Sequence, residues 1–332
     1  GGDHELAMLA HEIDREDRAS ASADAAMTKP CISLSIADGQ NCKSVRSSQE
    51  RNFMTRSPGN LPSEHALAFA RRLADAARPF ALRHFRTSPH IFFKADNTPV
   101  TVADQEIEAM LRRSIQEAYP GHGIIGEEYG DSMPDTDYTW VLDPIDGTRS
   151  FIVGNPLFGT LIGLLEHRRP FIGLIDCPAV RERWWGDGKH AMYYDGLKEH
   201  AARVSRHRSV EHARLYLPHY ISQAGHPRFE EKDSVERQAI AELSSRALVS
   251  QPVCDCYAYG LLASGHCDLV IETGLEPSDY FPLIPVGKGA GGQISDWEGN
   301  PLDRDSDGRI VAAVSEELAK AAIEILSPCL KL

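Results

Sequence analysis

Apolar side chains recur at helical spacing in two early stretches of this chain. The first begins at Pro62 and carries an apolar stripe as far as Phe80, and Pro79 within it predicts a kink or an end to the helix. The second runs over residues 102–118 and stops at the breaker sequence Tyr119-Pro120-Gly121. The pattern therefore predicts two helices before the middle of the chain.

Short apolar runs between turn residues follow these helices and predict strands. These strands are expected at 124–125, 140–142, 159–165, 171–175 and 183–186. A helix is then expected near 234–245. Later helices are expected at 257–263, 279–289 and 315–326, and later strands at 268–272, 292–297 and 310–314. Mixed helices and strands without an internal repeat favour an α/β or α+β sandwich of layers.

Residues 1–60 lack this periodicity and are rich in Ser, Ala, Asp, Glu and Arg. Their composition predicts a flexible tail, followed by one folded domain over residues 61–330. Met54 stands just before the ordered part, so a native start at this residue is a further hypothesis. The tail contains no apolar run typical of a secretory signal, and its early acids argue against an organellar transit peptide.

Composition and charge exclude some classes of protein. The 332 residues are 42% hydrophobic and 25% charged, as in a globular protein, and no apolar stretch reaches the length of a membrane span. The net charge of −13 argues against nucleic acid as a partner, because phosphate backbones are bound by basic patches. The 7 scattered cysteines contain no CxxC pair, so we expect reduced, buried thiols and a cytoplasmic location.

The sequence WVLDPIDGTRSF, near the middle of the chain, carries the first candidate chemistry. A predicted strand delivers Asp143 to its end, and the following Pro144 is expected to turn the chain so that Asp146 faces the same point. Gly147 and Thr148 follow with backbone amides. Carboxylates beside such amides favour a hard cation and a phosphate, although Asp-Pro and Asp-Gly are also ordinary turn dipeptides.

Two more acids lie at the ends of predicted elements. Glu127, in GEEYG, follows a predicted strand and could join the two aspartates, although paired glutamates after a strand are usually a solvated loop. Asp104 stands three residues after Thr101 in the pattern of a capping box, so its simplest role is to cap the second helix.

The runs GEE, WVLDPIDGT, FGTLIGLLE and FIGLIDCP together resemble the inositol monophosphatase superfamily of Mg²⁺-dependent, lithium-sensitive phosphatases. The resemblance covers residues 67–326 and implies a fold of alternating helix and sheet layers. It also implies a homodimer and two or three Mg²⁺ ions. The implied metal ligands are Glu127, Asp143, Asp146, Asp279 and the carbonyl of Ile145. Taken without the resemblance, Asp279 would be a helix N-cap.

Catalytic roles also follow from the resemblance. It implies direct attack of water on the phosphate, with Mg²⁺ lowering the pKa of that water and neutralising charge. The Thr148 hydroxyl, oriented by Asp104, would help to take the proton of the water, and Glu127 is the alternative base. The amides of Gly147 and Thr148 would hold a phosphate oxygen.

The last third of the chain resembles the histidinol-phosphatase branch of this superfamily. Ser278 stands where the family usually has tryptophan before the last metal aspartate, and prolines 282 and 285 follow within a predicted helix. Glu272 aligns with the substrate-contacting glutamate of the family, and Asp255 with a position that lines the same pocket. Two acids suit a cationic amino-imidazole substrate. Asp255 could instead cap the helix that follows it.

Two other acidic features have a simpler interpretation. The segment 303–308, DRDSDG, copies the first half of a calcium loop, but Val314 occupies the twelfth position, where a bidentate glutamate is needed. We therefore interpret it as an acidic turn, and Asp268 as structural. The histidines show no zinc-ligand spacing.

The sequence therefore predicts a phosphomonoesterase that converts L-histidinol phosphate to L-histidinol and phosphate in histidine biosynthesis. Its substrate is a small phosphorylated metabolite. One alternative is a phosphatase of the same superfamily for inositol, sugar or nucleotide phosphates. The other is a catalytically silent metal-binding protein. The presence of every acidic position of the motif and of Thr148 argues against this alternative.

Overall fold

The computed structural model describes residues 61–87, 91–93, 99–218, 231–252 and 254–331. The predicted tail, with Met54 and two of the cysteines, lies outside these residues. No helix in the described part of the chain has the length and apolar character needed to cross a membrane.

A seven-stranded sheet contains its strands in chain order. They are β3 (Gly123–Gly126), β4 (Tyr138–Asp146), β5 (Gly159–Glu166), β6 (Arg169–Cys177), β7 (Glu182–Gly186), β8 (Ala191–Tyr194) and β9 (Glu199–Ala201). Strands β3 and β4 are parallel, and every later pair is antiparallel. Strands β1 (Ile91–Phe93) and β2 (Pro99–Thr101) form a separate antiparallel pair.

Helices α1 (Ser63–His84) and α2 (Val102–Ala118) cover one face of this sheet. Pro79 does not end α1, so that part of the prediction is wrong. The apolar stripe continues beyond it to Ala81, which is fully buried in the same core as Trp140 of β4. Burial of this stripe against the sheet outweighs the loss of one backbone hydrogen bond at a proline.

A second sheet of five strands follows in the order β11-β10-β12-β14-β13. Its strands are β10 (Arg214–Leu217), β11 (Val249–Pro252), β12 (Leu269–Glu272), β13 (Gln293–Ser295) and β14 (Ile310–Ala313). The helices of this half are α4 (Glu231–Arg246), α5 (Cys256–Ala263), α6 (Pro277–Gly289) and α7 (Glu316–Leu326), after the one-turn helix α3 (Thr148–Ile152). Helices α5 and α6 pack between the two sheets, and α4 and α7 pack together against the second. The predicted layered α/β sandwich is confirmed.

The packing of α6 explains the two prolines inside it. A Cβ at Gly173 of β6 would overlap the carbonyl oxygen of Pro282, and one at Gly186 of β7 would lie 2.7 Å from that of Pro285. The helix backbone therefore rests directly on two strand glycines. The carbonyl of Pro285 also accepts the N–H of Gly188 at 3.1 Å, which joins the helix to the turn after β7.

The short strands β8 to β11 were not predicted. Most side chains of β8 and β9 are only half-buried or exposed, and those of β11 are mostly exposed, so these segments carry no strong apolar alternation. Hydrogen bonding to neighbouring strands stabilises these segments, although their own sequences show no strand pattern. The cysteine prediction is confirmed for the described thiols, because all are buried and none forms a disulfide: Cys177, Cys254, Cys256, Cys267 and Cys329.

Candidate active site

A β-bulge in strand β4 brings Asp143 and Asp146 to the same side of the sheet. A turn of the chain was predicted at Pro144, but the strand continues to Asp146. Asp143 pairs with Leu161 of β5 and Asp146 pairs with Gly159, so β4 contains one extra residue between these pairs. Residues three apart in a regular strand point to opposite faces, and one extra residue cancels that difference. Proline favours this irregularity because it has no N–H for the ladder.

Glu127 reaches the same place from the neighbouring strand. Strands β3 and β4 are parallel, with Gly126 paired to Leu142, so Glu127 and Asp143 both follow the last pair of this ladder. The side chains of Glu127 and Asp143 are close enough to share a hydrogen bond. The predicted convergence of the two strand ends is therefore present in the structure.

Asp279 comes from helix α6, more than a hundred residues later. The helix begins at Pro277, so Asp279 lies in its first turn and is not the N-cap, and its Oδ2 accepts the N–H of Glu276 at 2.8 Å. One oxygen each from Asp143, Asp146 and Asp279 lie within 4.8 Å of one another. Three carboxylates at this spacing form a candidate site for a hard cation.

The electrostatics of this cluster are unfavourable without a cation. Burial, followed by the charges of Glu127, Asp146 and Asp279, raises the pKa of Asp143 well above its usual range. Burial and the charges of Asp255 and Asp279 do the same to the pKa of Asp146. Burial and Glu127 raise the pKa of Asp279 to about 7. A bound divalent cation would reverse these shifts, because it favours the ionised form of each group.

Asp104 makes two sets of contacts. It completes the predicted capping box by accepting the backbone N–H of Thr101 at 2.9 Å, through Oδ2, and its other oxygen faces the Thr148 hydroxyl at 3.3 Å. The same hydroxyl lies 3.1 Å from the carbonyl of Ile145. Because one hydroxyl has one proton, it donates to only one of them at a time. Burial and, to a smaller extent, Glu127 raise the pKa of Asp104 to about 6.

Asp255 does not cap helix α5 with its side chain, so the capping alternative is wrong. Its Oδ2 accepts the Ser150 hydroxyl at 2.7 Å and would lie 2.5 Å from a Cβ at Gly147. The backbone of Asp255 has φ 51° and ψ −147°, a region that is costly for any residue other than glycine. Asp146 instead accepts the N–H of Cys256 at 2.5 Å, at the start of the same helix.

Glu272, at the end of β12, also lies near the cluster. It is buried, and its Oε2 accepts the hydroxyl of Tyr259 at 2.7 Å. Burial raises its pKa well above its usual range, and the charges of Asp146, Asp255 and Asp279 add to this effect. All the predicted site residues therefore meet in one region of the structure.

Residues that the sequence interpretation missed support this region. Ser150 binds Asp255, and Tyr259 binds Glu272. Tyr259 had a weak signal in its spacing, since it stands one helical turn after Asp255.

Comparison with known proteins identifies the family of this chain. The model of the inositol monophosphatase family matches residues 63–330. This chain belongs to the inositol monophosphatase family. It is a phosphatase of the inositol monophosphatase superfamily, which acts on small phosphorylated substrates, and its acidic cluster could hold the metal on which such enzymes depend.

Three members illustrate the range of its relatives. The chain is 36% identical over 313 residues to the bifunctional phosphatase IMPL2, chloroplastic, of Arabidopsis thaliana, covering 90% of this chain and 87% of the relative. It is 33% identical over 237 residues to the histidinol-phosphatase of Mycobacterium tuberculosis, covering 70% and 86%. The solved inositol monophosphatase from Zymomonas mobilis matches with a TM-score of 0.67 and 34% identity, over 85% of this chain and 100% of that one.

Proposed function

We propose that this protein is a Mg²⁺-dependent phosphomonoesterase that hydrolyses L-histidinol phosphate to L-histidinol and phosphate. The observation that carries this proposal is the placement of Asp255 and Glu272 around the aspartate cluster. After burial, the charge of Asp255 is the largest cause of the raised pKa of Asp146, and the charge of Asp146 adds to the effect of burial on the pKa of Glu272. Both Asp255 and Glu272 therefore lie near the candidate metal site. A cationic amino-imidazole would offset this negative charge, whereas a neutral inositol or sugar would not.

The donor set fits Mg²⁺. Its proposed ligands are carboxylate and carbonyl oxygens alone, which are the ligands preferred by hard cations. They are Glu127, Asp143, Asp146, Asp279 and the carbonyl of Ile145. When bound, Mg²⁺ would lower the pKa of the attacking water and neutralise charge on the phosphate.

The chain's own groups would manage the proton of the water. Thr101 occupies Oδ2 of Asp104 with both its backbone N–H and its hydroxyl, which leaves Oδ1 facing Thr148. The water would pass its proton to the Thr148 oxygen as the Thr148 proton moves to Asp104. A carboxylate with a pKa of about 6 is a better base near neutral pH than an ordinary aspartate. Glu127 is the alternative base.

The phosphate would lie against the start of helix α3. We assign the amides of Gly147 and Thr148 to one phosphate oxygen, with the attacking water in line with the ester oxygen. The P–O ester bond breaks as the water oxygen bonds to phosphorus, and the leaving alkoxide takes a proton to become the alcohol of L-histidinol. Positioning and charge neutralisation supply most of the rate in such transfers.

A phosphatase for inositol, sugar or nucleotide phosphates is the second candidate, and similarity to the inositol monophosphatase from Zymomonas mobilis favours it. Phosphate release by the purified full chain decides between them. We expect the highest kcat/KM for L-histidinol phosphate and no turnover without Mg²⁺. A preference for inositol phosphate contradicts the substrate proposed, and no release from any substrate despite bound Mg²⁺ favours the catalytically silent protein.

We also propose that the protein is a cytoplasmic homodimer. The buried, reduced thiols and the family resemblance support this proposal. Sedimentation of the purified chain tests the dimer, and a monomer at micromolar concentration contradicts it.

A further inference from the structure

A buried carboxylate of helix α2 holds the turn that carries Glu127. The Glu108 side chain is fully buried. Its Oε2 accepts the backbone N–H of Glu128 at 2.7 Å, and its Oε1 accepts that of Tyr129 at 3.2 Å. These are the two amides that follow Glu127 directly. The Glu108 carboxylate therefore fills the inner side of the turn at the end of β3.

Arg112, one turn further along α2, binds both Glu108 and the far end of this turn. Its Nε donates to Oε1 of Glu108 at 2.6 Å, and its Nη2 donates to the carbonyl of Gly130. Its side chain is only 13% exposed. One guanidinium therefore neutralises the buried carboxylate and fixes the exit of the turn, as Glu108 fixes its middle.

The close approach of these side chains explains the glycine of the GEE sequence. A Cβ at Gly126 would overlap Oε1 of Glu108 and Nη2 of Arg112. The φ angle of Gly126 is not positive, so the backbone conformation does not require glycine at this position. Contact with the α2 side chains does. The helix is therefore in direct contact with the strand end from which Glu127 projects.

The same face of α2 also reaches Thr148. Asp104, Glu108 and Arg112 are four residues apart in succession, and this spacing places them on one side of a helix. Asp104 contacts Thr148 at 3.3 Å. One rigid element therefore contacts the Thr148 hydroxyl at one end and the Glu127 turn at the other.

We propose that Glu108, assisted by Arg112, is a positioning residue that sets the place of Glu127 relative to Thr148 and the aspartate cluster. As a consequence of this positioning role, Glu108 determines how tightly the site binds Mg²⁺. This inference rests on the proposed function of Glu127 as a Mg²⁺ ligand. The competing interpretation is that the pair of Glu108 and Arg112 only stabilises the helix.

Mg²⁺ binding to the full chain, measured by titration calorimetry, separates these interpretations. The variants are Glu108→Gln, Glu127→Gln and the double variant. The matched control is Asp268→Asn, because Asp268 is also a fully buried carboxylate bound to an arginine, Arg214, but lies in the second sheet. Thermal unfolding without metal and kcat with L-histidinol phosphate are recorded for each.

We expect Glu108→Gln to weaken Mg²⁺ binding about tenfold, because an amide places a donor against the turn or against Arg112. Asp268→Asn should lower the thermal midpoint comparably and leave Mg²⁺ binding within about twofold of the wild type. The double variant should bind Mg²⁺ no more weakly than Glu127→Gln alone, since Glu108 acts through Glu127. Wild-type Mg²⁺ binding by Glu108→Gln, or additive losses, would overturn the inference.

The single variants separate this inference from the proposed function. Wild-type Mg²⁺ binding by Glu127→Gln would refute the ligand role of Glu127 itself. Weakened binding by Glu127→Gln together with normal binding by Glu108→Gln would refute only the role of Glu108.

Should Glu108→Gln fail to fold, the variant Arg112→Lys tests the inference, because it keeps the positive charge and loses one of the two hydrogen bonds of Arg112. Wild-type Mg²⁺ binding by Arg112→Lys would then overturn the inference.

Discussion

Asp268 and the aspartate cluster contain buried carboxylates that are compensated in opposite ways. Asp268, beside β12, accepts two hydrogen bonds from the Arg214 guanidinium, each at 2.8 Å. Burial alone would raise its pKa, but Arg214 and Ser205 bring the pKa below its usual range. The pKa values of the three clustered aspartates are instead raised by burial and by one another.

The difference shows that burial by itself does not mark the functional site. Asp268 has its counter-charge inside the chain, so the pair is complete without a ligand. Among the described residues, no lysine or arginine forms an ion pair with Asp143, Asp146 or Asp279. Their counter-charge must come from outside, which is the physical reason to expect a cation there. Four predictions test this contrast.

The largest effect is expected for Asp143→Asn. Turnover should fall about a thousandfold or more, because the site loses a ligand that helps to stabilise transition-state charge. Phosphate release measures this. The metal-free variant should be at least as stable as the wild type in urea unfolding, because one of several mutually repelling carboxylates is gone. Retained Mg²⁺-dependent turnover refutes the ligand assignment.

Asp268→Asn should show the reverse behaviour. Breaking a buried pair with Arg214 should lower the free energy of unfolding by about 3 kcal/mol. Turnover at a temperature where the variant remains folded should stay within about twofold of the wild type, because Asp268 touches no group of the candidate site. Unchanged stability in urea would show that the contrast between Asp268 and the aspartate cluster is wrong.

Metal-free protein should lose stability as the pH rises. The pKa is raised to about 6 for Asp104 and to about 7 for Asp279, so the folded state binds more protons than the unfolded state between about pH 4 and pH 7. Stability should therefore fall through this window by more than about 2 kcal/mol, since one unit of pKa shift corresponds to about 1.4 kcal/mol. Added Mg²⁺ should remove most of the fall. If the stability of the metal-free protein in urea unfolding rises from pH 4 to pH 7, the raised pKa values of these carboxyl groups are contradicted.

The smallest effect is expected for Asp255→Asn. The KM for L-histidinol phosphate should rise about tenfold, because one carboxylate that faces the cationic group is lost, while kcat changes little. The KM for inositol phosphate should not rise. Glu298→Gln, an exposed acid remote from the cluster, is the control. Equal changes for both substrates would remove Asp255 from the specificity assignment.

The sequence predicted most long elements of the fold but not the short ones. Helix α2 was predicted with its observed ends, because apolar periodicity, a capping box and a breaker agreed. At Pro79 the sequence predicted a kink or an end of the helix, and the end was wrong, since packing on the sheet decides whether a helix tolerates a proline. Strands β8 and β9 escaped prediction because strand pairing, rather than their own side chains, stabilises them.

Within the candidate site, the sequence supplied the chemistry of single residues. Motifs identified Asp143, Asp146 and Glu127 as candidates, and the family resemblance added Asp279 and Thr148. Their roles as ligands and base stay predictions. Glu108 could not be found in this way, because a buried glutamate in an amphipathic helix has no signature until its turn partners are known.

The sequence by itself determined the family, the layered fold and the oxygen-rich character of the candidate site, since these depend on residue type, periodicity and motif spacing. Only the tertiary structure decided the convergence of the aspartates. The bulge in β4 puts Asp143 and Asp146 on one side, and α6 adds Asp279 between the two sheets. It also placed Asp255 against Gly147 and Glu108 beneath Glu127. Except for the bulge, each of these contacts joins residues distant along the chain, and only packing brings such residues together.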